Sequence, residues 1–141
     1  MRFTSVLAVL SLFLAPTLAW PSTKTLRVAY STQYDKKDEN SVGVACSSTL
    51  IHKGYKTYGS LKNFPFIGGA EFITGANSDQ CGTCWKLTYK DQSVNILAID
   101  HIAEGFIISK EAMDALTDGE ALDLGHVQAE VSQLPASACK F

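Results

Sequence analysis

The acid most out of place in this sequence is Asp100, which ends the apolar run Val94-Asn95-Ile96-Leu97-Ala98-Ile99. On an ideal strand it shares a face with Val94, Ile96 and Ala98, so the chain carries it to the rim of a core. A carboxylate so placed either accepts hydrogen bonds from a neighbouring loop or meets a ligand. His101 falls on the opposite face, which argues against a catalytic dyad of the two neighbours. Glycoside hydrolysis requires a second carboxyl group, to activate water or to attack the sugar. Asp35, Asp38, Glu39 and Asp79 lie in loop-like stretches, and no spacing singles out one of them as that partner. A serine triad is unsupported, because no GxSxG elbow occurs. Sugar binding asks for less: aromatic faces against C–H groups and polar side chains for the hydroxyls. Tyr30, Tyr34, Tyr55, Tyr58, Asn77 and Asp100 are of suitable type.

Four cysteines, Cys46, Cys81, Cys84 and Cys139, are the other chemistry-bearing set. An even count in an oxidising compartment reads as two disulfides, with three pairings open. Cys81-Gly82-Thr83-Cys84 has the form of a redox CxxC, which works by placing its first thiolate at a helix N-terminus. Here Trp85-Lys86-Leu87-Thr88-Tyr89 follows in strand alternation, so no helix dipole is available. His52, His101 and His126 do not stand at zinc-ligand spacing from these cysteines.

The elements that must hold these residues are mostly β. Alternation marks strands at Leu26 to Tyr30, Trp85 to Tyr89, Val94 to Asp100 and Val127 to Gln133, and Lys90-Asp91-Gln92 turns the middle pair into a hairpin. Val94 to Ile99 is apolar on both faces, as befits a central strand of a closed or covered sheet. One helix is capped by Ser109, carries Glu111, Ala112, Met113 and Leu116, and ends at Gly119; a shorter one spans Ser48 to Lys53 before Gly54. Gly68-Gly69 and Gly75-Ala76-Asn77-Ser78 read as turns, and the mixed cluster Asp35-Lys36-Lys37-Asp38-Glu39 as a solvated loop. Short strands, few helices and two bridges suggest a small barrel.

The chain has 141 residues, 46% hydrophobic and 18% charged, with a net charge of −2, which fits one globular domain and gives nucleic acid or an anionic membrane nothing to bind. Its opening runs from Arg2 through Val6 to Leu14 and then Pro16-Thr17-Leu18-Ala19. A charged start, a short apolar core and small residues before a cut predict a secretory signal peptide over residues 1–19, leaving one domain over 20–141. Pro16 and Thr17 interrupt the run too early for a membrane span.

Together, Val28-Ala29-Tyr30 with Tyr34-Asp35, Asn63-Phe64-Pro65-Phe66-Ile67-Gly68-Gly69, Asn77-Ser78 with Cys81-Gly82-Thr83-Cys84-Trp85-Lys86-Leu87, and Leu97-Ala98-Ile99-Asp100-His101 resemble the cerato-platanin family of small secreted fungal proteins. The similarity continues through Gly105-Phe106 and Ala112-Met113-Asp114-Ala115-Leu116-Thr117 to Cys139. The resemblance implies a six-stranded double-ψ β-barrel with Cys46 paired to Cys81 and Cys84 to Cys139. It further implies secretion to the medium or cell wall, no cofactor, and non-catalytic binding of N-acetylglucosamine oligomers or other wall polysaccharide in a shallow groove. Elicitation of plant defence, with a plant receptor as partner, and expansin-like loosening of cellulose belong to the same expectation. Asp100 looks like the family's groove aspartate, and Tyr30 and Asn77 like positions near it. Ser31 and Ser47-Ser48-Thr49 depart from the family pattern along the polar rim. A weak glycan-cleaving enzyme on the same barrel and a surface-active, self-assembling wall protein are the competing readings.

Overall fold

The computed structural model describes residues 23–141, so the signal-peptide expectation for residues 1–19 lies outside the described residues. Six strands close into a barrel: β1 (Lys24–Tyr30), β2 (Ile67–Ala70), β3 (Cys84–Tyr89), β4 (Gln92–His101), β5 (Phe106–Ile108) and β6 (His126–Leu134). Around the barrel the order is β1-β5-β2-β4-β3-β6. The β1–β5 and β2–β4 pairs are parallel and the remainder antiparallel. This is the double-ψ β-barrel with few short helices and two disulfides that the resemblance implies.

Burial follows from the strand period. In β6, Val127, Ala129 and Val131 point inward and alternate with exposed neighbours, as in a strand with one wet face. From Ile96 to Ile99, β4 is buried on both faces, because α2 (Lys110–Thr117) packs against its outer side. Phe106, Ile67, Leu87 and Ile96 fill the interior. The predicted hairpin forms with Tyr89 opposite Gln92, and the two predicted helices form as α1 (Ser47–His52) and α2, with Ser109 Oγ accepting the Ala112 N–H at 3.1 Å. A third helix, α3 (Ala121–Leu124), precedes β6.

Two expectations are corrected. Gly68 and Gly69 make no turn: they lie in the fully buried strand β2, between β4 and β5. The reason is space, since a Cβ on Gly68 would overlap the Ile107 carbonyl and come within 2.8 Å of Ile108 Cα. Nor is Asp35 solvated loop. Its carboxylate accepts the N–H groups of Lys110 at 2.7 Å and Glu111 at 2.9 Å, so with Ser109 it satisfies the opening donors of α2.

The disulfides are Cys46–Cys81 and Cys84–Cys139, closing separations of 35 and 55 residues. Loops of that length give each bridge about 4 kcal/mol in the chain-entropy model. The chain ends against this region. The Phe141 ring stacks on Tyr55 at 5.7 Å, lies under the Lys53 ammonium at 4.8 Å, and covers Gly82, where a Cβ would collide with it.

The close approach at β2 separates two glycines. Gly68→Ala is expected to lower stability by about 1–3 kcal/mol in a denaturant titration. Gly43→Ala, which enters open space, is expected to change it by no more than about 0.5 kcal/mol.

Candidate functional site

The site grows out of an irregularity in the β2–β4 pair. Gly68 stands opposite Ala98 but Gly69 opposite Asp100, so the register skips Ile99. The Ile99 carbonyl instead accepts the Cys46 N–H at 3.1 Å. One residue further on, Asp100 Oδ1 accepts the Ala45 N–H at 2.8 Å and the His101 N–H at 2.9 Å. On the other strand edge, Gly82 N–H donates to the Ala98 carbonyl and Ala98 N–H to the Thr83 carbonyl, both at 2.9 Å. The end of β4 is thus clasped between residues 45–46 and 82–83, and the Cys46–Cys81 bridge joins the two arms.

Asp100 Oδ2 accepts the Tyr34 hydroxyl at 3.0 Å. Tyr34 sits on a 3-10 turn, Thr32–Asp35, which Ser31 opens by accepting the Gln33 N–H and which Asp35 fastens to α2. Tyr58 comes from a second turn, Tyr58–Ser60, and its N–H donates to the Glu39 carbonyl at 3.0 Å. The two tyrosine rings are 6.2 Å apart and tilted by 33°. With Ser31, Gln33, Glu39 and Asp100 they line an open cavity of about 260 Å³.

Burial and anionic neighbours act on these phenols in the same direction. Burial pushes the Tyr34 hydroxyl far above the usual tyrosine range, and the charge and hydrogen bond of Asp100 add to it. Tyr58 is pushed up to about 12, first by burial, then by the charges of Asp100 and Glu39. Both carboxylates therefore act on the Tyr58 hydroxyl. A raised phenol favours the neutral form in the folded chain, so its contribution to stability is complete below pH 10.0, the ordinary value. That contribution fades as the pH climbs from there towards about 12.

Of the residues expected at a sugar groove, Asp100, Tyr34 and Tyr58 come together. Tyr30 ends β1 half-buried, packed against the core, and Asn77 is exposed in the loop between β2 and β3; neither lines this cavity. Tyr55 is occupied by Phe141. The His101 ring pairs with the Ile73 carbonyl through Nδ1, and only its backbone touches the Asp100 carboxylate. Glu39 lines the cavity with Asp100, which alternation alone gave no means of finding. Ser31, one of the two departures from the family pattern, is on the cavity wall, whereas Ser47-Ser48-Thr49 forms the first turn of α1.

Replacing Asp100 by Asn removes a charge that acts on both phenols. In an alkaline phenolate titration the midpoints of Tyr34 and Tyr58 are expected to fall, Tyr34 more, while both stay above 10.0 because burial is the larger cause.

Comparison with known proteins places the barrel in a family. The cerato-platanin family model matches residues 26–141. The heat-stable 19 kDa antigen of Coccidioides immitis (strain RS) is 37% identical over 143 residues, covering 99% of this chain and 98% of the antigen. The crystal structure of cerato-platanin 1 from M. perniciosa superposes with a TM-score of 0.78 at 40% identity, covering 82% of this chain and 99% of that one. The solution structure of the fungal elicitor Cerato-Platanin gives 0.71 at 29% identity, covering 80% and 95%. A family match over nearly all of the described residues, the shared barrel and a near full-length relative establish that this chain belongs to the cerato-platanin family.

Proposed function

We propose that this chain is a secreted, non-catalytic protein that grips chitin-type oligosaccharides at the Asp100 cavity and acts as an elicitor of plant defence with expansin-like loosening of wall polysaccharide. The observation that carries the reading is the hydrogen-bonding of Asp100. Both oxygens accept, from Ala45 and His101 N–H groups and from the Tyr34 hydroxyl. Oδ2 keeps an acceptor position for a sugar hydroxyl, and a charge-assisted bond there is stronger than a neutral one. A general acid has to donate a proton to the glycosidic oxygen, whereas this carboxylate is tied down as an acceptor. Tyr34 and Tyr58 line the same space, where a phenol oxygen can hydrogen-bond a sugar hydroxyl. Membership in a family of secreted fungal proteins, with a solved relative titled a fungal elicitor, supports the setting.

Glu39 favours a second reading, a weak glycan-cleaving enzyme, because it brings another carboxylate to the cavity and hydrolysis needs two. The readings part on turnover. Titration with N-acetylglucosamine oligomers is expected to show binding without new reducing ends, with affinity falling roughly tenfold in Asp100→Ala. Because Asp100→Ala also loosens the Ala45 segment, Tyr58→Phe serves as a second variant, and a weaker fall is expected there. Unchanged affinity in both variants removes the cavity from the site. Reducing-end release that disappears in Asp100→Asn and Glu39→Gln establishes the hydrolase.

A further inference from the structure

The charged residues lining the cavity are both acids, Asp100 and Glu39. Asp100 is held by three accepted bonds, so its position is set before any ligand arrives. The Glu39 carboxylate has neither an ion pair nor a hydrogen bond among the described residues. The lysines of the same loop make no ion pair with it, although Lys36 and Lys37 share a neighbouring recess with Glu39; Lys36 Nζ donates instead to Gln33 Oε1 at 2.7 Å. A second observation is independent of charge. Tyr58 is only 3% exposed, yet its hydroxyl, bordering the cavity, has no hydrogen-bond partner among the described residues. That hydroxyl opens onto the cavity, so it is free to accept a hydrogen bond from a ligand donor there.

We propose that the cavity is a subsite for a cationic sugar, a hexosamine with a free ammonium, so that glucosamine oligomers are preferred over their N-acetylated counterparts. An ammonium offers three donors and no acceptor, which complements a wall made of carboxylate and phenol oxygens. An acetamido group brings bulk and no charge. Asp100, already fixed, meets the charge without reorganising, so the main costs are the ordering and desolvation of Glu39.

The inference rests on the glycan-binding reading, and the experiment separates the two. Calorimetric titrations use glucosamine tetramer and N-acetylglucosamine tetramer, below and above the pKa of the sugar ammonium, on wild type, Glu39→Gln, Tyr58→Phe and Asp123→Asn. Asp123, exposed on α3, makes the same change in net charge away from the cavity. Below that pKa the glucosamine tetramer is expected to bind roughly tenfold more tightly than the acetylated one, the scale of one charge-assisted contact. The preference is expected to vanish above it, to shrink several-fold in Glu39→Gln and Tyr58→Phe, and to persist in Asp123→Asn. Equal or tighter binding of the acetylated tetramer at both pH values overturns the inference and leaves the glycan-binding reading standing. A preference lost equally in Asp123→Asn also overturns it, as net-charge attraction. Binding of neither tetramer removes both readings. Thermal unfolding of each variant confirms that the fold is kept, and Glu39→Gln alters no bond within the protein.

Discussion

Three donors converge on the Asp100 carboxylate, and two of them are backbone N–H groups. Backbone donors withdrawn from water must find a partner, and leaving one unpaired costs about 1–3 kcal/mol. The Ala45 N–H is such a donor, because its segment turns inward to bury Val44 and Cys46 on either side. One acid at the end of β4 therefore decides where residues 44–46 lie, where α1 begins, and how the Tyr34 turn faces the barrel. The skipped register between β2 and β4 is part of the same arrangement. It releases the Ile99 carbonyl from the ladder and gives it to Cys46, next to the bond made by Asp100.

A carboxylate that braces its surroundings is also well prepared to meet a ligand. Side chains that must be ordered on binding cost about 0.5–1.5 kcal/mol each, and Asp100 and Tyr34 are ordered already. Their rigidity has three separate sources: the bulged strand for Asp100, the Asp35 bonds to α2 for the Tyr34 turn, and the Cys46–Cys81 bridge for the segment facing both. Glu39 differs. It is partly exposed and unpaired, so it is the adaptable member of the wall.

What could be read from the chain follows the range over which each interaction acts. Strands β1, β3, β4 and β6 have enough alternating residues to declare themselves, and Ser109 marks α2 through a bond only three residues long. β5 has three residues, too few for a period, and β2 consists of Ile-Gly-Gly-Ala, whose glycines imitate a turn. Both of the parallel pairings involve one of these two short strands, so the closure of the barrel and the cysteine pairing came from family resemblance and not from periodicity. At the site, Asp100 was conspicuous because it ends an apolar run. Asp35 and Glu39 were not, because each sits in a stretch whose mixed charges look solvated; Asp35 acquires its role from α2 and Glu39 from sharing a cavity with Asp100, both far along the chain. Tyr34 and Tyr58 were legible as residue types only; it is the two 3-10 turns that bring them to Asp100.

The last residue of the chain is fitted into the structure and does not trail from it. Phe141 spans Tyr55 beside α1 and Gly82 beside the Cys81 sulfur, so it roofs the region where the two arms of the clasp are joined. Any peptide that continues past Phe141, such as a fused affinity tag, has to be routed away from a ring held on both sides. For this scaffold, a label is better carried by an exposed side chain far from that roof, such as one on α3.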